Sequence, residues 1–202
     1  MKLKLISDFT DYYDHWFDTN GIPFYRMADD KSYDRRTAFR ILEELGLRVP
    51  RYGSINLTSW EAKELVIYTN EYCHIGEGKL KVQMAHIPPA LQYSFASEYI
   101  LGYRGVSYRL LYIGNKTFWL KYISHNDWRS NCGDCAVVWH TEATPTIPRR
   151  LPLPLYAIDF VIDLSGTFYA IDLNLAPGLS YTPVQDYFTG KGIVSMLYEF
   201  YN

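Results

Sequence analysis

Three residues near the C-terminal end have the types and spacing to hold a hard cation: Asp159, Asp172 and Asn174. They lie in Leu-Tyr-Ala-Ile-Asp159-Phe-Val-Ile-Asp-Leu-Ser-Gly166-Thr-Phe-Tyr-Ala-Ile-Asp172-Leu-Asn174-Leu-Ala-Pro177-Gly178-Leu, two apolar runs joined at a glycine. Side chains alternate along a strand, so Asp172 and Asn174 share a face, and a paired strand supplies Asp159 to the same surface. Three oxygen donors on a rigid hairpin suit Mg²⁺, which keeps several waters and takes its remaining ligands from substrate phosphates. A buried hairpin with polar residues at its mouth would read in much the same way.

Other residues able to do chemistry lie upstream. Ser97-Glu98-Tyr99-Ile100-Leu-Gly102 is followed by Ser107-Tyr108-Arg109-Leu-Leu-Tyr-Ile-Gly114-Asn-Lys116 and by Thr-Phe-Trp-Leu-Lys121-Tyr-Ile-Ser, whose central Gly-Asn-Lys reads as a hairpin turn. Next comes Asn126-Asp127-Trp128-Arg129-Ser130-Asn131. An arginine fork spreads phosphoryl charge, and an asparagine amide donates to an acyl oxygen. Taken singly, Glu98 and Arg109 read as exposed polar residues and the Arg129 segment as a polar turn anchored by Trp128.

In this order the segments resemble the ATP-grasp enzymes, over about half the chain. The resemblance implies an α+β, two-lobed fold with ATP in the cleft, the residues from about 94 to 174 forming the larger wall. It divides the chain into an N-terminal region and nucleotide-covering lobe, 1–93, and a C-terminal lobe, 94–202. It makes Glu98, Tyr99 and Ile100 the hinge that meets adenine and Arg109 a phosphate contact. The Arg129-Ser130-Asn131 segment, similar to that of the glutamate-ligase branch, would face the γ-phosphate and the acyl acceptor. The resemblance makes Lys79 and Lys121 candidates for the two nucleotide lysines, and Asp159, Asp172 and Asn174 the Mg²⁺ ligands. The implied reaction joins a carboxylate to an amine or similar nucleophile through an acyl-phosphate, with a peptide, protein or amino acid as the acceptor. An ATP-dependent binding or assembly protein without ligase activity is the alternative. Two departures from the common pattern, Asp172 where many members carry Glu and an N-terminal preparatory domain that is reduced or absent, resemble the compact, divergent clade that includes the assembly chaperone of translation initiation factor 2.

The elements that must position these groups are legible in part. A helix is expected from Ser32 to Gly46, capped by Ser32 or Asp34, with apolar Ala38, Ile41, Leu42 and Leu45 and a stop at Gly46. A short helix is expected from Thr58 to Glu64, then a buried strand Leu65 to Thr69 and a strand Lys81 to Ala85. Between those strands, His74-Ile-Gly76-Glu77-Gly78-Lys79 is a glycine loop able to close over phosphates or simply to join them.

Composition narrows the function classes. The 202 residues carry a formal net charge of −2, so no basic field attracts nucleic acid or anionic membrane. A Mg²⁺-dependent nuclease is therefore disfavoured. No run approaches a membrane-spanning length, and acids interrupt the N-terminal segment too early for a signal peptide, which makes a cytoplasmic location the expectation. Nineteen tyrosines sit mostly at strand positions, where β-propensity accounts for them. Three cysteines, Cys73, Cys132 and Cys135, do not form a disulfide framework, and the lone Cys132-Gly-Asp-Cys135 reads as a loop with reduced thiols.

Overall fold

The computed structural model describes residues 3–5, 24–26, 34–70, 78–142, 144–175, 177–179, 182–184 and 190–200. Helix α1, Arg35–Glu44, begins at Asp34, whose Oδ1 accepts the Thr37 amide at 2.7 Å. It ends in a Schellman motif: Gly46 N donates to Glu43 O at 2.8 Å and Leu47 N to Leu42 O at 3.0 Å. Gly46 has φ +81°, a conformation that a side chain resists, so the stop read from the sequence has a backbone cause. Ser32, the other expected cap, lies outside the described residues.

Two antiparallel sheets follow. The smaller has the order β3-β6-β4-β5, from β3 Tyr52–Ser54, β4 Glu64–Tyr68, β5 Lys79–Gln83 and β6 Phe95–Glu98. The larger has the order β11-β10-β7-β8-β9, from β7 Val106–Ile113, β8 Lys116–Ser124, β9 Cys135–Trp139, β10 Leu155–Ile162 and β11 Phe168–Asn174. A short parallel pair, β1 Leu3–Leu5 and β2 Phe24–Arg26, precedes them, and helix α2, Gly190–Glu199, closes the described chain. The larger wall thus starts at Val106, not at 94: β6 hydrogen-bonds between β3 and β4, and the chain changes sheet within Tyr99–Gly105.

One core lies between α1 and both sheets. Ala38, Phe39 and Leu42 pack with Val66, Tyr68 and Phe95 and with Tyr108, Leu110, Tyr156, Ile158 and Phe160. The opposite face of the larger sheet carries Leu111, Ile113, Leu120 and Ala157 under Ile193, Met196 and Leu197 of α2. Burial on both faces explains why β7 and β10 read as nearly continuous apolar runs.

The expected helix from Thr58 to Glu64 is not formed. The Thr58 amide bonds Ser54 O at 3.1 Å, and those of Glu61 and Ala62 both donate to Glu98 Oε1, at 2.8 and 3.1 Å. A carboxylate from β6 accepts the amides that the first turn of a helix would have left without intrahelical partners, and holds them in a non-helical turn.

Candidate active site

Between the two sheets lies a cleft lined by residues of both. Val66, Tyr68, Lys79 and Ser97 face it from the smaller sheet, Arg109, Tyr122, Asp159 and Asp172 from the larger. Arg129, Ser130 and Asn131 reach it from the loop after β8, Glu98 from the end of β6, and Tyr99 and Ile100 from the passage between sheets.

Asp159 and Asp172 are direct cross-strand partners, with Ala157 opposite Asn174 one same-face pair further on. The register shifts between Asp159 and Phe160, which leaves Ile171 without a partner, and both Ile171 and Asp172 line the cleft. Such a bulge re-aims a side chain where a regular ladder would alternate. Like charges opposed on a ladder repel, and here each carboxylate meets an arginine. Arg109 grips Asp159 with a two-pronged fork, Nε to Oδ1 at 2.6 Å and Nη2 to Oδ2 at 2.8 Å. Its Nη1 donates to the Tyr122 hydroxyl at 3.2 Å, and its guanidinium carbon lies 4.8 Å from that ring's centroid. Arg35 donates from Nη1 to Asp172 Oδ1.

Electrostatics follow from these pairs. Burial opposes charge on Arg109, yet the adjoining Asp159 outweighs it and raises the guanidinium above its usual value. Burial likewise opposes charge on Asp172, but Arg35, Lys79 and Arg109 together hold its carboxyl below the usual range. Lys79 has the reverse balance: desolvation, aided by the charge of Arg35, pushes its ammonium down to about 8. Lys79 brings a further cation beside the Arg35–Asp172 and Arg109–Asp159 pairs, a group that suits an anionic ligand.

Arg129 is held by its neighbour. Asp127 accepts Arg129 Nε at 3.0 Å, Nη2 at 2.8 Å and the Arg129 amide at 2.8 Å, and these bonds lower the Asp127 carboxyl to about 2. Ser130 bonds Ser107 of β7, tying the loop to the sheet. Trp128 packs edge-on against Tyr99, centroids 6.0 Å apart, and so joins the loop to the passage between sheets.

Nine of the eleven residues picked from the sequence line the cleft: Lys79, Glu98, Tyr99, Ile100, Arg109, Arg129, Asn131, Asp159 and Asp172. Asn174 is on the face of Asp172 but beyond the lining residues. Lys121 is not brought there. It pairs with Tyr108, a residue of the core under α1, and its Nζ lies 5.8 Å from that ring's centroid, on the sheet face opposite Tyr122. Around Gly178 the space is open, and neither it nor Pro177 lines the cleft. Glu98 uses one carboxylate oxygen on the Glu61 and Ala62 amides, and the Glu98 and Tyr99 amides bond Arg51 O and Glu64 O at 2.8 and 3.0 Å. Sequence reasoning assigned no role to Arg35, Tyr122 or Tyr68. Of these only Arg35 carried a signal, a charged first-turn residue beside the cap of an apolar helix.

No family model matches the sequence, and no curated protein does. Solved structures do match in shape. The ATP-grasp ligase PsnB, complexed with minimal precursor, Mg and ADP, superposes with a TM-score of 0.62 at 13% identity, covering 91% of this chain and 64% of that one. The chain has the ATP-grasp fold. The macrocyclase MdnB from Microcystis aeruginosa matches at 0.55 and 12% identity, over 94% of this chain and 67% of its own. D-alanine–D-alanine ligase from Bacillus anthracis, complexed with ATP, matches at 0.54 and 12% identity, over 94% and 73%. The chain therefore spans about two thirds of the length of these ATP-grasp structures. No helix among the described residues is long and apolar enough to cross a membrane.

Proposed function

We propose that this protein is an ATP- and Mg²⁺-dependent ligase that joins a carboxylate to an amine or similar nucleophile through an acyl-phosphate. The observation that carries the reading is the convergence of Lys79, Arg109, Arg129, Asn131, Asp159 and Asp172 on one cleft between the two sheets of an ATP-grasp fold. A peptide or protein substrate is part of the reading, supported by the likeness to PsnB and to the macrocyclase MdnC, each solved with a precursor.

The donor set fits magnesium. Asp159 and Asp172 face each other across the ladder, and each carboxylate keeps lone pairs beyond those its arginine uses. Asn174, on the same face, is the third candidate ligand. When bound, the cation supplies charge neutralisation between phosphate oxygens.

The chain's own groups do the rest. Val66 and Ile171 offer apolar walls for a purine on opposite sheets, and Ile100 is the hinge residue assigned to adenine through its main chain, since the Glu98 and Tyr99 amides serve the smaller sheet. Lys79 and Arg109 meet phosphate charge as it concentrates. Arg129, oriented by Asp127, stabilises the oxygens of the phosphoryl group in transfer, and Asn131 donates to the acyl oxygen. No protein nucleophile is needed. The test is a screen of carboxylate and amine pairs, peptides first, with ATP and Mg²⁺, read by mass spectrometry and by nucleotide products. ADP and phosphate formed only with both substrates is the expected result; AMP and pyrophosphate would contradict the mechanism. Tight nucleotide binding with no acceptor ever modified would favour an ATP-dependent assembly factor.

A further inference from the structure

The loop that carries Arg129 and Asn131 into the cleft runs on through Cys132-Gly133-Asp134-Cys135, and neither cysteine is in a disulfide among the described residues. The bend between them is tightly built. Gly133 has φ +71°, and a Cβ there would fall 2.0 Å from Asn126 Oδ1, the oxygen that accepts the Asp134 amide at 3.0 Å. At the base of the loop Ser124 Oγ donates to the Cys132 carbonyl at 2.6 Å, and the His125 amide donates to Asp134 O at 3.0 Å. The bend folds Cys135 back on Cys132, with Cys135 Sγ 2.9 Å from the Cys132 carbonyl oxygen. Cys132 Sγ lies 3.7 Å from Oδ1 of Asn131, a residue of the cleft wall. Cys135 is exposed and Cys132 half-buried.

We propose that Cys132 and Cys135 form a thiol–disulfide switch, oxidised by a low-molecular-weight disulfide, that resets the Arg129–Asn131 loop. The exposed Cys135 thiolate attacks one sulfur of the small disulfide and expels one thiolate, giving a mixed disulfide. Cys132, as thiolate, then attacks the Cys135 sulfur and expels the second, so two protons and two electrons leave the pair and the oxidant departs as two thiols. Burial raises the Cys132 thiol despite the nearby charge of Arg129, which fits it to the second step, not the first. Oxidation removes the Cys132 S–H that reaches Asn131 Oδ1, and this couples the redox state to the cleft. Only two residues separate the cysteines, so the ring closes a very short loop, gains little from chain entropy and stays reducible. That is the property of a switch and not of a staple.

The test needs no nucleotide and no ligase substrate, so it stands or falls separately from the proposed activity. A Cys73→Ser chain is incubated with oxidised glutathione, mapped by mass spectrometry and followed by amide hydrogen exchange. The expected result is loss of two hydrogens from the peptide spanning Cys132 and Cys135, reversal by dithiothreitol, and changed exchange at Arg129–Asn131. A Cys132→Ser chain should stop at a glutathione adduct on Cys135, and a Cys135→Ser chain should form its adduct on Cys132 more slowly. Adducts that persist on both cysteines without an internal disulfide, or a disulfide that leaves the exchange of Arg129–Asn131 unchanged, would overturn the proposal.

Discussion

Arg35, in the first turn of α1, donates to Asp172 on β11 from 137 residues away in sequence, and so fastens the helix to the bottom of the cleft. The arginine side chain is 6% exposed and the carboxylate 23%. Removing one partner strands the other charge, at a cost of about 3–5 kcal/mol for a pair this enclosed. Asp172→Ala is expected to lower stability by that order and to abolish Mg·ATP binding. An Arg35→Met, Asp172→Leu chain should regain most of the stability, measured by urea unfolding, but not the binding. Recovery of nucleotide affinity in the double variant would make Asp172 purely structural.

Lys79 supplies a pH dependence. Its folded value is lowered to about 8 from 10.5, so between those limits the unfolded chain holds more protons, and this group makes stability rise with pH across that window. Nucleotide binding has the opposite slope. Phosphate favours the ammonium, so affinity should fall as pH climbs through 8, with a proton taken up on binding above it. Titration calorimetry in buffers of different ionisation enthalpy reads that proton, and Lys79→Met should remove it. Proton uptake that survives Lys79→Met would assign the effect elsewhere.

Arg109 and Asp159 form the second latch. Arg109→Lys keeps the charge but not the fork, and Lys is a poor substitute at a bidentate site. We expect the variant to fold and to bind Mg·ATP about tenfold or more weakly, on the scale of one lost charge-assisted hydrogen bond. Equal affinity would place phosphate recognition away from Arg109.

Much of this site is written in short sequence patterns. The Asp159 and Asp172 hairpin follows from period-two alternation and a glycine turn, and the two-residue Gly114-Asn115 connection joins β7 to β8 as read. What escaped depends on tertiary contacts. Arg35 looks like any solvated residue at a helix start, because nothing local announces an acid on β11. Lys121 sits in a strand with apolar residues on both faces, Phe118 and Leu120 on one and Trp119 on the other, so hydropathy could not tell which face it joins. The extra residue at Ile171 is likewise invisible without the register of β10. The helix signals at Thr58 could not reveal that the Glu61 and Ala62 amides meet a distant carboxylate, Glu98.

The passage between the sheets gives a further expectation. Glu98 organises the Glu61 and Ala62 amides, so Glu98→Ala should loosen residues 58–63 in hydrogen exchange even without nucleotide. Mg·ATP should add protection at Ile100 in the wild-type chain. Protection confined to residues outside 98–106 would move adenine away from this hinge.

The claim that this cleft takes Mg·ATP is tested most directly by isothermal titration with a non-hydrolysable ATP analogue, with and without Mg²⁺, on the wild-type chain. The account predicts one saturable site per chain, tightened by magnesium, with a matching rise in melting temperature. No heat and no thermal shift at millimolar analogue and magnesium would contradict it.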